Sequence, residues 1–242
     1  MSTKRMRVFA GPNGSGKTTI FKEILRNSKV NLGVYVNADE IELQLKEFNA
    51  VDFKQFQILV SDEQLKAFFR QSTFSPVKRS EPDLFNKLSV QNNVLAISTV
   101  VDSYLAADLA EFVRQRLVAQ EISFTYETVL SFPDKIRFLE ETRKSGYKVY
   151  LYFIATEDPD ININRVNVRV AQNGHFVAPE VIRSRYYRSL NNLKNAVKQT
   201  NRAYIFDNTG TSANLVAEIT DGINVFINSA IEIPSWVVES LV

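Results

Sequence analysis

The chain has 242 residues, 45% of them hydrophobic and 23% charged, the balance of a globular protein with a core of its own. It has no cysteine and a single histidine, His175, which excludes disulfides, thiolate zinc sites, cysteine nucleophiles and two-histidine chemistry and leaves oxygen-ligated Mg²⁺ as the natural metal. A net charge of +2 is too small to imply a nucleic-acid partner, and no apolar run approaches the roughly 20 residues of a membrane span, so the expectation is a cytoplasmic protein without membrane contact.

The first element is a short apolar run, Met6, Val8 and Phe9, that ends at Gly11 and reads as a buried strand. A helix over 18–26 follows, then a strand over 34–36 opened by Gly33, then a helix over 40–48 with Ile41, Leu45 and Phe48 at helical spacing. Residues 49–93 lose this rhythm, with Pro76, Pro82 and one helical piece over 62–71; they contain no glycine and read as an inserted helical cap beside the active site. Leu105, Leu109, Phe112 and Leu117 resume a helix stripe, a third strand spans 122–129, a helix spans 133–144 and closes at Gly146, and a fourth strand spans 147–155. An Asn- and Arg-rich stretch over 158–172 precedes a helix over 179–198 and a fifth strand over 203–206. Residues 215–219 and 223–227 alternate about Asp221-Gly222 as a hairpin, before a tail helix near 236–241. Strands alternating with helices predict an α/β domain spanning 1–242, with a mostly parallel five-stranded sheet, helices on both faces and a C-terminal β-hairpin.

The run G-P-N-G-S-G-K-T, Gly11 to Thr18, satisfies G-x-x-x-x-G-K-[ST] between a predicted strand and a predicted helix, which makes the fold P-loop nucleotide-kinase-like. Its expected ligand is ATP with Mg²⁺, held by Gly11, Pro12, Asn13, Gly14, Ser15, Gly16, Lys17, Thr18 and Thr19. The glycines let backbone N–H groups turn toward the phosphates, Lys17 reaches the outer phosphates and Thr18 offers its hydroxyl to the metal. Asp39, after the second strand, reads either as a base for an acceptor hydroxyl or, with Asn37, as a cap of the next helix. Glu127 reads as a carboxylate that orders metal-bound water or grips a substrate hydroxyl, or as an exposed strand-end charge. Arg165 and Arg169, one helical turn apart, can face one anion. Arg183, Arg185 and Arg188 flank Tyr186-Tyr187, which fits an amphipathic helix and, as the alternative, an RNA-binding surface; His175 is a lone loop histidine. Neither N-K-x-D nor L-S-G-G-Q occurs, so a GTPase switch or a transporter ATPase has no support beyond the P-loop, and a small-molecule kinase is the favoured reading.

Several ordered blocks resemble the zeta toxin family of P-loop kinases, in its stand-alone chromosomal branch: G-P-N-G-S-G-K-T-T, N-A-D-E-I at 37–41, Y-E-T-V-L-S at 126–131, R-V-N-V-R-V-A-Q-N-G-H-F-V at 165–177, I-R-S-R-Y-Y-R-S-L and F-D-N-T. The resemblance implies an ATP- and Mg²⁺-dependent kinase acting on a sugar hydroxyl of a nucleotide-linked substrate, UDP-N-acetylglucosamine first, and a cognate antitoxin protein as partner. It puts Lys17 and Thr18 on ATP and Mg²⁺, Asp39 as general base, Glu127 and Thr128 near the substrate, and Arg165 and Arg169 on the phosphates. The chain departs from the branch in having Asn173-Gly174-His175 where Gly-Gly-His is usual, and in its 49–93 insertion. Related enzymes that phosphorylate a dinucleotide ribose supply the alternative acceptor, and a P-loop ATPase serving as a regulatory or RNA-binding module is the alternative function.

Overall fold

The computed structural model describes residues 3–27, 30–172 and 176–241. In chain order the regular elements are β1 (Arg5–Ala10), α1 (Lys17–Asn27), β2 (Val34–Val36), α2 (Ala38–Phe48), β3 (Ala50–Asp52), α3 (Asp62–Gln71), α4 (Ser75–Lys78), β4 (Leu88–Gln91), β5 (Val94–Ile97) and α5 (Ser103–Ala119). There follow β6 (Phe124–Thr128), α6 (Pro133–Lys144), β7 (Lys148–Ala155), α7 (Pro159–Ala171), α8 (Pro179–Lys198), β8 (Arg202–Asp207), β9 (Asn214–Thr220), β10 (Asn224–Ile227) and α9 (Ser235–Leu241). The chain divides into two compact units, Met1–Leu32 with Thr125–Val242, and Gly33–Phe124.

In the larger unit the strands lie in the order β10-β9-β8-β7-β1-β6. β1 pairs parallel with β7, Val8 opposite Leu151, and β7 pairs parallel with β8, Phe153 opposite Ile205. Such pairing needs long crossovers, which the helical segments between these strands provide, and it buries the central strands on both faces. Val8, Phe9, Leu151, Phe153, Ala203 and Ile205 are accordingly fully buried. One face carries a ring ladder across three strands: Phe9 stacks on Tyr152 with centroids 4.5 Å apart, and Tyr152 on Tyr204 at 4.9 Å. The α1 residue Phe21 meets Phe9 edge-on at 5.4 Å on that face. Phe153, next in β7, projects from the opposite face and meets Trp236 of α9 at 6.1 Å, so helices cover both sides of the sheet. The C-terminal hairpin extends this sheet: β9 pairs antiparallel with β8, and β10 pairs with β9 about a turn in which Asp221 (φ 50°) and Gly222 (φ 70°) take left-handed conformations.

The second unit has its own core. Its α2 packs on α5, and Phe112 of α5 contacts Phe53 and Phe68, with centroids 6.0 and 5.4 Å away. The helix expected over 62–71 is α3, started by a capping box in which Ser61 and Gln64 bond each other's backbone N–H. A single carboxylate oxygen, Asp108 Oδ2 on α5, accepts from Ser72 Oγ, Ser75 N and Ser75 Oγ and pins the start of α4. Residues 49–93, read from sequence as helical, also hold β3 and β4, which pair antiparallel with β5 in the order β3-β5-β4. These strands have three or four residues each, too few for a period of two to register in the sequence. Their one local signal is Asn92-Asn93, both left-handed (φ 51° and 67°), the geometry of a tight hairpin turn.

Candidate phosphate-binding site

β1 delivers the chain to Gly11, and α1 begins at Lys17, so the glycine loop sits between a buried strand and a helix N-terminus. The loop's three glycines all have left-handed φ, and each leans on a different neighbour. A Cβ on Gly11 (φ 140°) would fall 1.9 Å from the Ile154 carbonyl oxygen, one on Gly14 (φ 76°) 2.4 Å from the Asn162 carbonyl oxygen, and one on Gly16 (φ 94°) 2.3 Å from Asn208 Nδ2. The loop is therefore seated against the end of β7, against α7 and against the turn after β8. The first turn of α1 has no acidic side chain of its own, and the positive end of its dipole faces the loop.

Side chains complete the seat. Asn162 Nδ2 donates to the Asn13 carbonyl at 2.7 Å, while its Oδ1 accepts from Thr156 Oγ1. Asn208 Nδ2 donates to the Ser15 carbonyl at 2.8 Å. Arg165 donates to the carbonyls of Asn208 at 2.8 Å and Gly210 at 3.0 Å, fixing the turn that carries Asn208. Arg185 Nη1 reaches Asn13 Oδ1 at 3.4 Å. Burial holds the Tyr186 phenol protonated far above its ordinary range, and its hydroxyl donates to the Thr156 carbonyl at 2.6 Å.

The reactive-looking groups line this loop. Lys17 Nζ donates to the Gly11 and Pro12 carbonyls at 2.9 and 2.8 Å, curling its ammonium over the loop. Thr18 Oγ1 donates to Glu127 Oε2 at 2.9 Å, which brings a hydroxyl and a carboxylate together at the start of α1. Ser15 is fully buried and its Oγ meets no hydrogen-bond partner among the described residues. A buried hydroxyl left unpaired is costly, and a ligand oxygen entering the loop would supply what it lacks. The neighbouring Thr128 accepts from Gly11 N through its carbonyl at 3.3 Å. Two residues on, the fully buried Leu130 adopts φ 59°, a conformation costing on the order of 1–3 kcal/mol in a branched residue. It is held by α8, where Asn192 Nδ2 donates to the Leu130 carbonyl at 2.9 Å and Ser189 Oγ to that of Val129.

Of the residues expected from sequence, Gly11 to Thr19, Glu127 and Thr128 thus come together in the larger unit. Arg165, expected to face an anion with Arg169, is instead engaged with the carbonyls of 208–210, and Arg169 is exposed a turn further along α7. Arg185 bonds to the loop through Asn13. Asp39 belongs to the second unit, exposed in the first turn of α2; the cap there is Asn37, whose Oδ1 accepts from Asp39 N at 2.9 Å, so capping leaves the Asp39 carboxylate unused. His175 lies outside the described residues. Asn162, Thr156 and Asn208 are additions that the sequence reading lacked. No cluster of three or more His, Cys, Asp or Glu side chains occurs among the described residues, and none of their helices is long and apolar enough to cross a membrane.

The family model described as Zeta toxin matches residues 88–218, just over half of the chain, a stretch that contains Glu127, Asn162, Arg185 and Asn208 but not the glycine loop. Two crystal structures of AvrRxo1-ORF1:AvrRxo1-ORF2, one with sulphate ions and one with ATP, superpose with TM-scores of 0.58 and 0.55 at 14% and 12% identity, over 99% of this chain and 64% of the other; at such identity the likeness is one of fold. An uncharacterized protein of Haemophilus influenzae is 32% identical over 69 residues, 28% of this chain and 49% of that protein. The chain therefore spans about half the length of the curated relative and under two thirds of the solved ones.

Proposed function

The chain belongs to the zeta toxin family, and from that premise we propose that it is a kinase transferring the terminal phosphoryl group of ATP to a sugar hydroxyl of a nucleotide-linked small molecule. The observation that carries this reading is the loop itself: a glycine cradle that no Cβ could enter, an orphaned Ser15 hydroxyl inside it, Lys17 over it and the Thr18–Glu127 pair at its helix end. Backbone N–H groups and the α1 dipole bind the phosphates, and Lys17 exchanges its two carbonyl partners for phosphate oxygens. Thr18 Oγ1 and Glu127 Oε2 are hard oxygen donors suited to Mg²⁺, directly and through water, and the bound ion would offset the charge of the phosphates. Asp39 takes the proton of the acceptor hydroxyl; the acceptor oxygen bonds to the terminal phosphorus, the bond to the β-phosphate oxygen breaks, and ADP leaves. Arg185, bonded to Asn13, supplies guanidinium charge beside the loop, while Arg165 and Asn208 keep the loop in place.

UDP-N-acetylglucosamine is the leading acceptor and a dinucleotide ribose the second. The reading is also supported by the AvrRxo1-ORF1:AvrRxo1-ORF2 crystal structure with ATP, which shares this fold. A partner protein that masks the site, as an antitoxin does, belongs to the same reading, as does action in the cytoplasm. The RNA-binding alternative needs a free arginine face on α8, yet Arg183 pairs with Asp160, Arg185 turns to Asn13 and Arg188 lies over the Phe132 ring at 4.8 Å. Incubation of the purified chain with Mg²⁺-ATP and a panel of nucleotide sugars and dinucleotides is the direct test. The expected products are ADP and a new phosphate monoester on one acceptor class; ADP formation indifferent to every acceptor would leave only an ATPase.

A further inference from the structure

The larger unit carries a second concavity that shares no residue with the phosphate-binding loop. A cavity of about 240 Å³ lies among α8, the β9–β10 hairpin and α9. On the hairpin, Val225 stands opposite Ile219 and Ile227 opposite Ala217, so these side chains share one face and form one wall. Val197 of α8 and Val237 and Leu241 of α9 contribute to the others. The floor is buried, with Ile219 and Val237 only 2% and 5% exposed, whereas Val225 and Ile227 at the mouth are 55% and 45% exposed.

Two features define what would fit. Apart from Gly222 and two lysines, the lining is wholly aliphatic and contains no ring, which suits an alkyl chain better than a stacking aromatic. Its volume exceeds the roughly 150 Å³ of a dry apolar cavity that accepts benzene, so a chain of several methylenes can enter. The two lysines, Lys194 and Lys198, stand one helical turn apart on α8 and are exposed at the rim, where ammonium groups complement an anionic head while the chain lies on apolar surface. We propose that this cavity binds a medium-chain aliphatic carboxylate, its alkyl chain between the hairpin and α9 and its headgroup facing Lys194 and Lys198.

Titration calorimetry of the full chain with decanoate below its micellar concentration, in the absence of nucleotide, tests this independently of any kinase activity. The expected result is saturable one-to-one binding. Affinity should fall about tenfold or more in Val225→Trp and in Leu241→Trp, which fill the cavity from two sides, and in the double variant Lys194→Gln, Lys198→Gln; decanol should bind several-fold more weakly than decanoate. Absence of saturable binding, unchanged affinity in both tryptophan variants when each melts cooperatively, or decanol binding as well as decanoate would each overturn the assignment. So would a ligand-free dimer in sedimentation that Val225→Trp converts to monomer, since a second copy would then be what covers the cavity.

Discussion

A methyl group on Gly14 would meet the Asn162 carbonyl oxygen at 2.4 Å in a backbone conformation that side chains rarely adopt, so Gly14→Ala must displace either the loop or α7. Gly14→Ala is expected to remove ATP binding in a fluorescent-nucleotide assay while the protein still melts cooperatively, because the loop and not the sheet bears the strain. Lys17→Ala leaves the loop free of strain yet removes a positive charge from the transferring group, and transfer should fall about 10²–10³-fold in steady-state kinetics. Tyr186 offers a different readout. Burial raises its folded-state pKa above the unfolded value of 10.0, so the stability it lends is fully present below pH 10 and fades as pH rises beyond it. Urea melts of wild type and Tyr186→Phe should differ by about 1 kcal/mol at pH 7, and the gap should narrow above pH 10. A gap that widens with pH would mean that the phenolate, not the phenol, is the form the fold holds.

The elements divide by how their signals reach the sequence. β1, α1, β7 and α8 could be read because an eight-residue buried strand or a twenty-residue amphipathic helix leaves a long periodic record, and G-x-x-x-x-G-K-T marks the junction of β1 and α1 directly. The β3-β5-β4 sheet could not, since its strands are too short and its turn rests on an Asn-Asn pair that sequence reading takes for ordinary loop. The seat of the glycine loop was hidden for another reason: Asn162 and Asn208 lie 149 and 193 residues from their loop partners, Asn13 and Ser15, and only the folded sheet brings them together. Spacing likewise reveals that Arg165 and Arg169 share a helix face, but not that Arg165 donates to the carbonyls of Asn208 and Gly210. The same turn ties α9 to the site. Trp236 Nε1 donates to Asp207 Oδ1 at 2.9 Å, beside Asn208. Trp236→Phe removes one donor from Asp207 Oδ1, which keeps Thr209 Oγ1 at 2.7 Å, and is expected to raise KM for ATP with little change in kcat. Phe153→Ala, in the fully buried middle of β7, should instead cost about 3–5 kcal/mol of stability in a denaturant melt.

For the whole molecule, the glycine loop between β1 and α1 supports the proposal of phosphate binding, and the proposed step from holding phosphate to handing it on rests on Asp39. Its carboxylate is exposed at the start of α2, relieved of capping by Asn37, and has no hydrogen-bond or ion-pair partner among the described residues. A group so placed contributes little to stability, which separates a chemical role from a structural one. Asp39→Asn should therefore melt as the wild type does. The decisive measurement follows label from [γ-³²P]ATP into a nucleotide-linked acceptor with wild type and Asp39→Asn, alongside ATP affinity for both. Transfer lost by about 10²-fold or more with ATP affinity unchanged is the result expected of a base acting on the acceptor hydroxyl; transfer undiminished in Asp39→Asn would contradict the account.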